Sequence, residues 1–197
     1  GDEDDFIDLY FKNRDWLSET TVLFRDGKAA SMLTMIPTEL VGKDGGRQRA
    51  AMFFAIATHP DYRKRGFAER LIEDSNRYLK DNKVFTTLLV PAGEALFRYY
   101  ESCGYRNGFY IREAILNRDE ILAEGKIPDC RIFSISPEEY NQRRRKQLAG
   151  HDYLDYKDAE IAFQKTLGTV ADADILAIEM GDAEGCAYYE RISGETV

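Results

Sequence analysis

The stretch FAIATHPDYRKRGFAERLIEDSNRYL, Phe54 to Leu79, constrains the fold more than any other part of the chain. An apolar, β-rich run stops at His59-Pro60, passes the cations Arg63-Lys64-Arg65 and Gly66, and turns at once into an amphipathic helix. Phe67, Ala68, Leu71, Ile72, Ser75, Tyr78 and Leu79 fall on one face at helical spacing, which predicts a helix from Gly66 to about Lys80. A strand feeding a helix through so short a connection belongs to a chain that layers helices on a sheet.

The loop itself has a chemistry. The first turn of a helix leaves its N–H groups without intrahelical partners and concentrates partial positive charge there. Gly66 permits a positive φ and the close approach of a ligand to the backbone, and Ala68 keeps the next turn thin. Arg63, Lys64 and Arg65 add formal charge around the same concavity. Such a site suits a multiply charged anion, most naturally a pyrophosphate. The Gly-Lys-Ser/Thr of a Walker loop is missing, as is GxGxxG, so nucleotide hydrolysis and dinucleotide binding are disfavoured. On the loop alone, a solvated basic turn before an ordinary helix explains the residues equally well.

Around this segment the chain reads as mixed α/β. Asp2 to Leu17 is helical, with acidic residues in its first turn, and TTVLFRDGKAASMLTMIP is a hairpin turning at Asp26-Gly27. Lys43–Gly46 is a second turn, leading into a strand that ends at Thr58. VFTTLLVP is a short strand of the kind covered on both faces, GEALFRYYESCG a helix stopped by Gly104, and YRNGFYIREAIL a closing strand. The expected organisation is a domain over residues 1–117, a connector over 118–133 and a smaller α/β unit over 134–197. In that unit Ser136 caps a helix, DAEIAFQKTLG forms another, and ADILAIEMGDAEGCAYYERI is a hairpin. Its helix–hairpin order echoes the first domain's opening, as a degenerate repeat without the basic loop would. Arg143–Lys146 reads as a solvated helix face, and HDYLDY (His151–Tyr156) lacks the partner spacing of a metal site. SGETV reads as the start of a strand that pairs beyond this sequence, which points to truncation or self-association into a homo-oligomer.

Composition narrows the function. With 197 residues, 44% of them hydrophobic, the chain can bury a substantial core. A formal charge of −8 argues against nucleic acid, which needs a broad basic face. No run approaches the roughly 18 apolar residues of a membrane span and no signal-peptide pattern opens the chain, so a cytoplasmic protein without a membrane partner is expected. Cys103, Cys130 and Cys186 are too far apart for a CxxC site, and no metal is expected.

Two motifs in order carry a family resemblance. Arg63-x-x-Gly66-x-Ala68 after AIATHPDY resembles the Q/R-x-x-G-x-G/A acetyl-coenzyme A motif of the GNAT N-acetyltransferases. LFRYYESCGY (Leu96–Tyr105) resembles that family's LYEKLGF segment. The resemblance covers roughly Asp5 to Leu116, and VPAGEALFRYYESCGY is also similar to the multi-domain branch that includes the enhanced-intracellular-survival acetyltransferases. It implies a GNAT-like mixed, mostly antiparallel central sheet flanked by helices, followed by a second partial GNAT-like unit. It implies acetyl-coenzyme A as co-substrate and transfer to the primary amine of a small molecule or peptide by direct attack. The backbone of Ile56, Ala57 and Thr58 would pair with the pantetheine arm, and Arg63, Lys64, Arg65, Gly66, Phe67, Ala68 and Glu69 would hold the pyrophosphate. Tyr100 would be the general acid for the departing thiolate, with Tyr99 as packing; without the family, core packing is the better reading of both. Glu94, Glu101, His59 and a water chain are the options for a general base, and none is assigned. The alternative is a non-catalytic acyl-coenzyme A-binding or regulatory module.

Overall fold

The computed structural model of the protein describes residues 4–13, 16–117, 119 and 129–191. Its elements are α1 (Asp4–Asn13), α2 (Trp16–Glu19), β1 (Thr20–Arg25), β2 (Lys28–Val41), β3 (Arg47–Thr58), a 3-10 turn (Pro60–Tyr62), α3 (Phe67–Asp81), β4 (Thr86–Leu88), α4 (Glu94–Ser102), β5 (Cys130–Ser134), α5 (Pro137–Leu148), β6 (Tyr153–Asp155), α6 (Asp158–Gly168), β7 (Ala173–Met180) and β8 (Ala183–Glu190). They form two compact units. One is built within Arg14–Gly108 together with His151–Asp155, the other within Gly1–Asn13, Phe109–Gly150 and Tyr156–Val197.

In the first unit the sheet order is β1-β2-β3-β4, with β6 also pairing with β2. The fold is the mixed, mostly antiparallel sheet expected, and among the described residues only β3 and β4 run parallel. Asp26 and Gly27 both take positive φ (51° and 75°), the turn whose twist matches the flanking strands. Helix α3 turns Leu71, Ile72, Ser75 and Leu79 inward, while Tyr78, read from the sequence as part of that face, stays exposed. Those side chains meet Leu33 and Met35 of β2 and Ala51 and Phe53 of β3 in one core. Leu33 is wholly buried, so its truncation to alanine costs about 2–5 kcal/mol.

Two departures of this sheet from regularity matter for the site. Strand β3 bulges against β2: Met32 pairs with Ala57 but Thr34 with Phe54, so Ala55 and Ile56 together oppose Leu33, and Ala55 takes a φ of 49°. Strand β4 pairs with β3 only from Ala50 to Met52. No strand lies beside Phe53–Thr58 on that side among the described residues.

The HDYLDY stretch proves to be structural. Tyr153–Asp155 is β6, paired with Glu39–Val41. The Asp155 carboxylate is buried and accepts from the Arg47 guanidinium at 2.5 Å, which also donates to Glu39. These two carboxylates hold the Arg47 pKa above its ordinary value. The Asp152 carboxylate accepts the Lys43 N–H at 2.9 Å. Tyr105 to Leu116, read from the sequence as a strand, carries no regular structure. Its apolar doublets Tyr110-Ile111 and Ile115-Leu116 flank a charged Arg112-Glu113 pair, so neither face of a strand would be uniformly apolar.

The second unit is an antiparallel β5-β7-β8 sheet backed by α5 and α6. Ser136 caps α5 as expected, its hydroxyl accepting the Glu139 N–H at 3.2 Å. Ile161, Ile175 and Ala177 form its buried centre, and Tyr10 of α1 meets Phe163 edge-on at 5.8 Å between ring centroids. The Arg143–Lys146 run departs from the solvated face the sequence suggests. Arg143 is 14% exposed and donates to Glu139 at 2.8 Å and Glu179 at 3.1 Å. Arg144 lies over the Tyr156 ring at 5.5 Å, and Arg145 donates to the Tyr156 carbonyl at 3.1 Å. The carboxylates that draw the run inward, Glu179 and Glu184, arrive from the β7–β8 hairpin. Ser193–Val197 and most of the Arg118–Asp129 connector lie outside the described residues.

Candidate active site

The site of interest starts where β3 ends. His59 follows Thr58 and caps the 3-10 turn: its Nδ1 accepts the Asp61 N–H at 3.3 Å. Tyr62 then becomes the pillar of the loop. Its ring meets His59 at 5.7 Å and Phe67 at 6.0 Å, and the Arg65 guanidinium stacks over it at 5.6 Å. The sequence reading gave Tyr62 no role; an aromatic set just before a basic run was the available signal. Arg63 is turned back on the strand, its Nε donating to the Thr58 carbonyl at 3.2 Å. Lys64 and Arg65 are exposed.

The backbone of this loop is left-handed at two points, Lys64 (φ 60°) and Gly66 (φ 75°). An L side chain at Gly66 would strain a conformation that costs about 1–2 kcal/mol for residues other than glycine. A Cβ built there meets nothing within 4 Å, so the space above the turn is open. Helix α3 begins immediately afterwards, and its first capping bond runs from the Arg70 N–H to the Gly66 carbonyl at 3.0 Å. Among the described residues, no backbone carbonyl accepts the N–H groups of Lys64 to Glu69. Open space, six consecutive undonated amides and two exposed cations share one turn. This is the donor set a diphosphate requires.

The strand beside it carries the second element. Ser31 fixes the end of β3 from the β2 side: its hydroxyl donates to the Ala57 carbonyl at 2.9 Å and lies 3.1 Å from the Thr58 hydroxyl. The opposite edge of Ile56, Ala57 and Thr58 is the one from which β4 has diverged. An extended amide-bearing chain can add there as a strand would.

Helix α4 supplies the third. Tyr99, Tyr100, Cys103 and Tyr105 pack against the same core as Ile56 and Leu71. Burial first, then Cys103 one turn on, pushes the Tyr99 pKa above the ordinary phenol value. Burial also raises the Tyr100 pKa, so its phenol stays protonated at neutral pH. Its ring sits edge-on between Tyr99 (5.2 Å) and Tyr105 (6.1 Å). The carboxylates of Glu94 and Glu101 lie on exposed stretches of the same helix. Ile56 of the strand edge and Tyr100 of α4 therefore pack against one core.

Residues 2–108 match the family model described as an acetyltransferase (GNAT) domain. Among solved structures, the chain is similar to a conserved protein from Enterococcus faecalis V583 described as a probable N-acyltransferase, with 17% identity, a TM-score of 0.64 and coverage of 96% of this chain and 48% of that one. It is also similar to Eis1 from Mycobacterium abscessus, with 12% identity, a TM-score of 0.58 and coverage of 84% and 43%. These likenesses are of fold, they extend past the region the family model matches, and the chain spans about half the length of either protein. No curated protein matches the chain.

Proposed function

The chain belongs to the GNAT acetyltransferase family, and we propose that it transfers an acetyl group from acetyl-coenzyme A to the primary amine of a small molecule or peptide. The observation that carries this reading is the Gly66 turn: undonated amides from Lys64 to Glu69 beneath open space. In this reading the amides and the Lys64 and Arg65 cations take the diphosphate, while Arg63 holds the end of β3 in place. The free edge of Ile56, Ala57 and Thr58 takes the pantetheine amides. In this reading the bulge at Ala55 bends β3 just before that edge, and the thioester lies toward α4.

Transfer needs a neutral amine, a polarised carbonyl and a proton for the sulfur. The amine nitrogen attacks the carbonyl carbon, the C–S bond breaks, and the Tyr100 hydroxyl gives its proton to the departing thiolate. The ammonium proton leaves to solvent and Tyr100 is reprotonated from solvent, so atoms and charge balance without a covalent enzyme intermediate. Tyr100 takes the acid role over Tyr99 because it stands at the tyrosine of the family's LYEKLGF segment.

Free-thiol release from acetyl-coenzyme A across a panel of polyamines, aminoglycosides and peptide N-termini tests the proposal. Tyr100→Phe is expected to lower kcat on the order of a hundredfold, with acetyl-coenzyme A affinity within about twofold, whereas Tyr99→Phe retains most turnover. Tight binding of acetyl-coenzyme A without release on any amine would replace transfer by an acyl-coenzyme A-binding module.

A further inference from the structure

Helix α4 ends in an arrangement that does more than stop it. Gly104 takes a φ of 91°, its N–H donates to the Glu101 carbonyl at 3.0 Å, and the Tyr105 N–H reaches back to the Tyr100 carbonyl at 3.0 Å. This is the paired bonding of a Schellman cap, in which the residue after the glycine also packs on the residue whose carbonyl it binds. Here that pair is Tyr105 on Tyr100, rings 6.1 Å apart at 73°.

Tyr105 is anchored in turn at its far end. Its hydroxyl lies 3.1 Å from Thr87 Oγ1 on β4, and Thr87 Oγ1 donates to Asn76 Oδ1 on α3 at 2.9 Å. Thr87 has one proton and it goes to Asn76, so Tyr105 must be the donor to Thr87. One chain of hydrogen bonds thus ties the end of α4 to β4 and to α3. Cys103 and Tyr105 pack on the core on one side of the turn. A cavity of about 600 Å³ opens beside it, lined by Asn76, Thr87, Cys103, Gly104, Tyr105 and Arg106 among others. A helix end with empty space on one side and a hydrogen-bonded tether across it is free to shift once the tether is cut.

We propose that Tyr105, Thr87 and Asn76 form a latch that fixes the Tyr100 hydroxyl in its reactive position. The inference rests on the reading of Tyr100 as general acid. Tyr105, Thr87 and Asn76 are positioning residues that act through the Tyr100 ring and touch no reacting atom.

The test uses the full chain labelled with [ζ-13C]tyrosine, the Tyr100 signal being assigned by its loss in Tyr100→Phe. Tyr105→Phe keeps the ring and removes the tether. The expected result is that the Tyr100 phenol titrates at a lower pH than in wild type, toward the ordinary phenol value of about 10, as the loosened turn admits water. In the thiol-release assay, kcat falls roughly tenfold while KM for acetyl-coenzyme A stays within about twofold, because misplacement acts on the reacting geometry. Thr87→Val reproduces both changes, and Thr87→Ser, which keeps a hydroxyl, exceeds Thr87→Val in kcat. The Tyr100→Phe/Tyr105→Phe double variant is no slower than Tyr100→Phe alone, since a latch with nothing to position has no further effect. An unmoved Tyr100 titration in Tyr105→Phe overturns the latch, even if the variant melts earlier. Full turnover in Tyr100→Phe instead overturns the general-acid reading, and the two failures are read from different variants.

Discussion

The chain contains two basic runs of nearly the same composition, Arg63-Lys64-Arg65 and Arg143-Arg144-Arg145-Lys146, and the structure uses them in opposite ways. The second lies within a helix whose neighbours bring carboxylates to it. Arg143 is engaged by Glu139, Glu179 and Glu184, Arg144 and Arg145 lie against Tyr156, and Lys146 meets Glu184. The first lies at the entrance of a helix. Among the described residues, Lys64 and Arg65 there have no ion-pair partner, and the neighbouring amides no backbone acceptor. A run of cations stays available to an anion where the fold withholds its counter-charges, and becomes a structural clamp where the fold supplies them.

Variants in each run sharpen that contrast. The largest effect is expected from Lys64→Glu/Arg65→Glu, which sets two repulsive charges at the turn. Its Kd for coenzyme A rises roughly a hundredfold, the worth of about two charge-assisted contacts, and its Tm barely changes. Equilibrium titration at fixed salt measures this; unchanged affinity would make the loop a solvated turn like any other. Next is Arg143→Ala, which removes the most buried member of a partly exposed ion-pair cluster. The expectation is a Tm lowered by several degrees with coenzyme A affinity within about twofold, and a large loss of affinity without loss of stability would erase the distinction between the runs.

Acid should act on the clamp as well. Lys146 holds Glu184 below its ordinary value of 4.5. Burial alone would raise Asp174, but the Ser134 hydroxyl, the Ile175 N–H and Lys165 outweigh it and hold it below 3.8. A carboxylate depressed in the folded state contributes stability that is complete above its unfolded value and is lost as pH falls through the folded one. Urea midpoints should therefore hold steady down to about pH 5 and decline below it, and Glu184→Gln should flatten part of that decline. The smallest effect belongs to Lys146→Ala. Its ammonium is 73% exposed, so water screens the pair and the Tm should move by no more than about a degree.

These contrasts also mark what the amino-acid order could and could not reveal. The hairpin at Asp26-Gly27, the end of β3 at Thr58 and the start of α3 were legible, because turn residues and hydrophobic period act within a few neighbours. So was the left-handed turn at Gly66, which depends on consecutive backbone groups. The burial of Arg143 was not, since Glu179 and Glu184 lie more than thirty residues away and reach it through a sheet. Nor was the role of Asp155, whose partner Arg47 is 108 residues distant. Tyr62 as pillar and Thr87 as the middle of a tether went unread for the same reason: each acts through a contact made only in three dimensions. The closing strand expected after Gly104 failed because apolar composition suggests a strand, while alternation decides whether it has a face to bury.

One titration bears on the central claim most directly: calorimetry of coenzyme A into the wild-type chain and into Gly66→Glu, with the folded state of both checked by circular dichroism. Backbone donors at this turn predict measurable uptake by the wild type and none by the variant, whose side chain occupies the open space with a negative charge. Equal uptake by both proteins, or no uptake by the wild type, would contradict it.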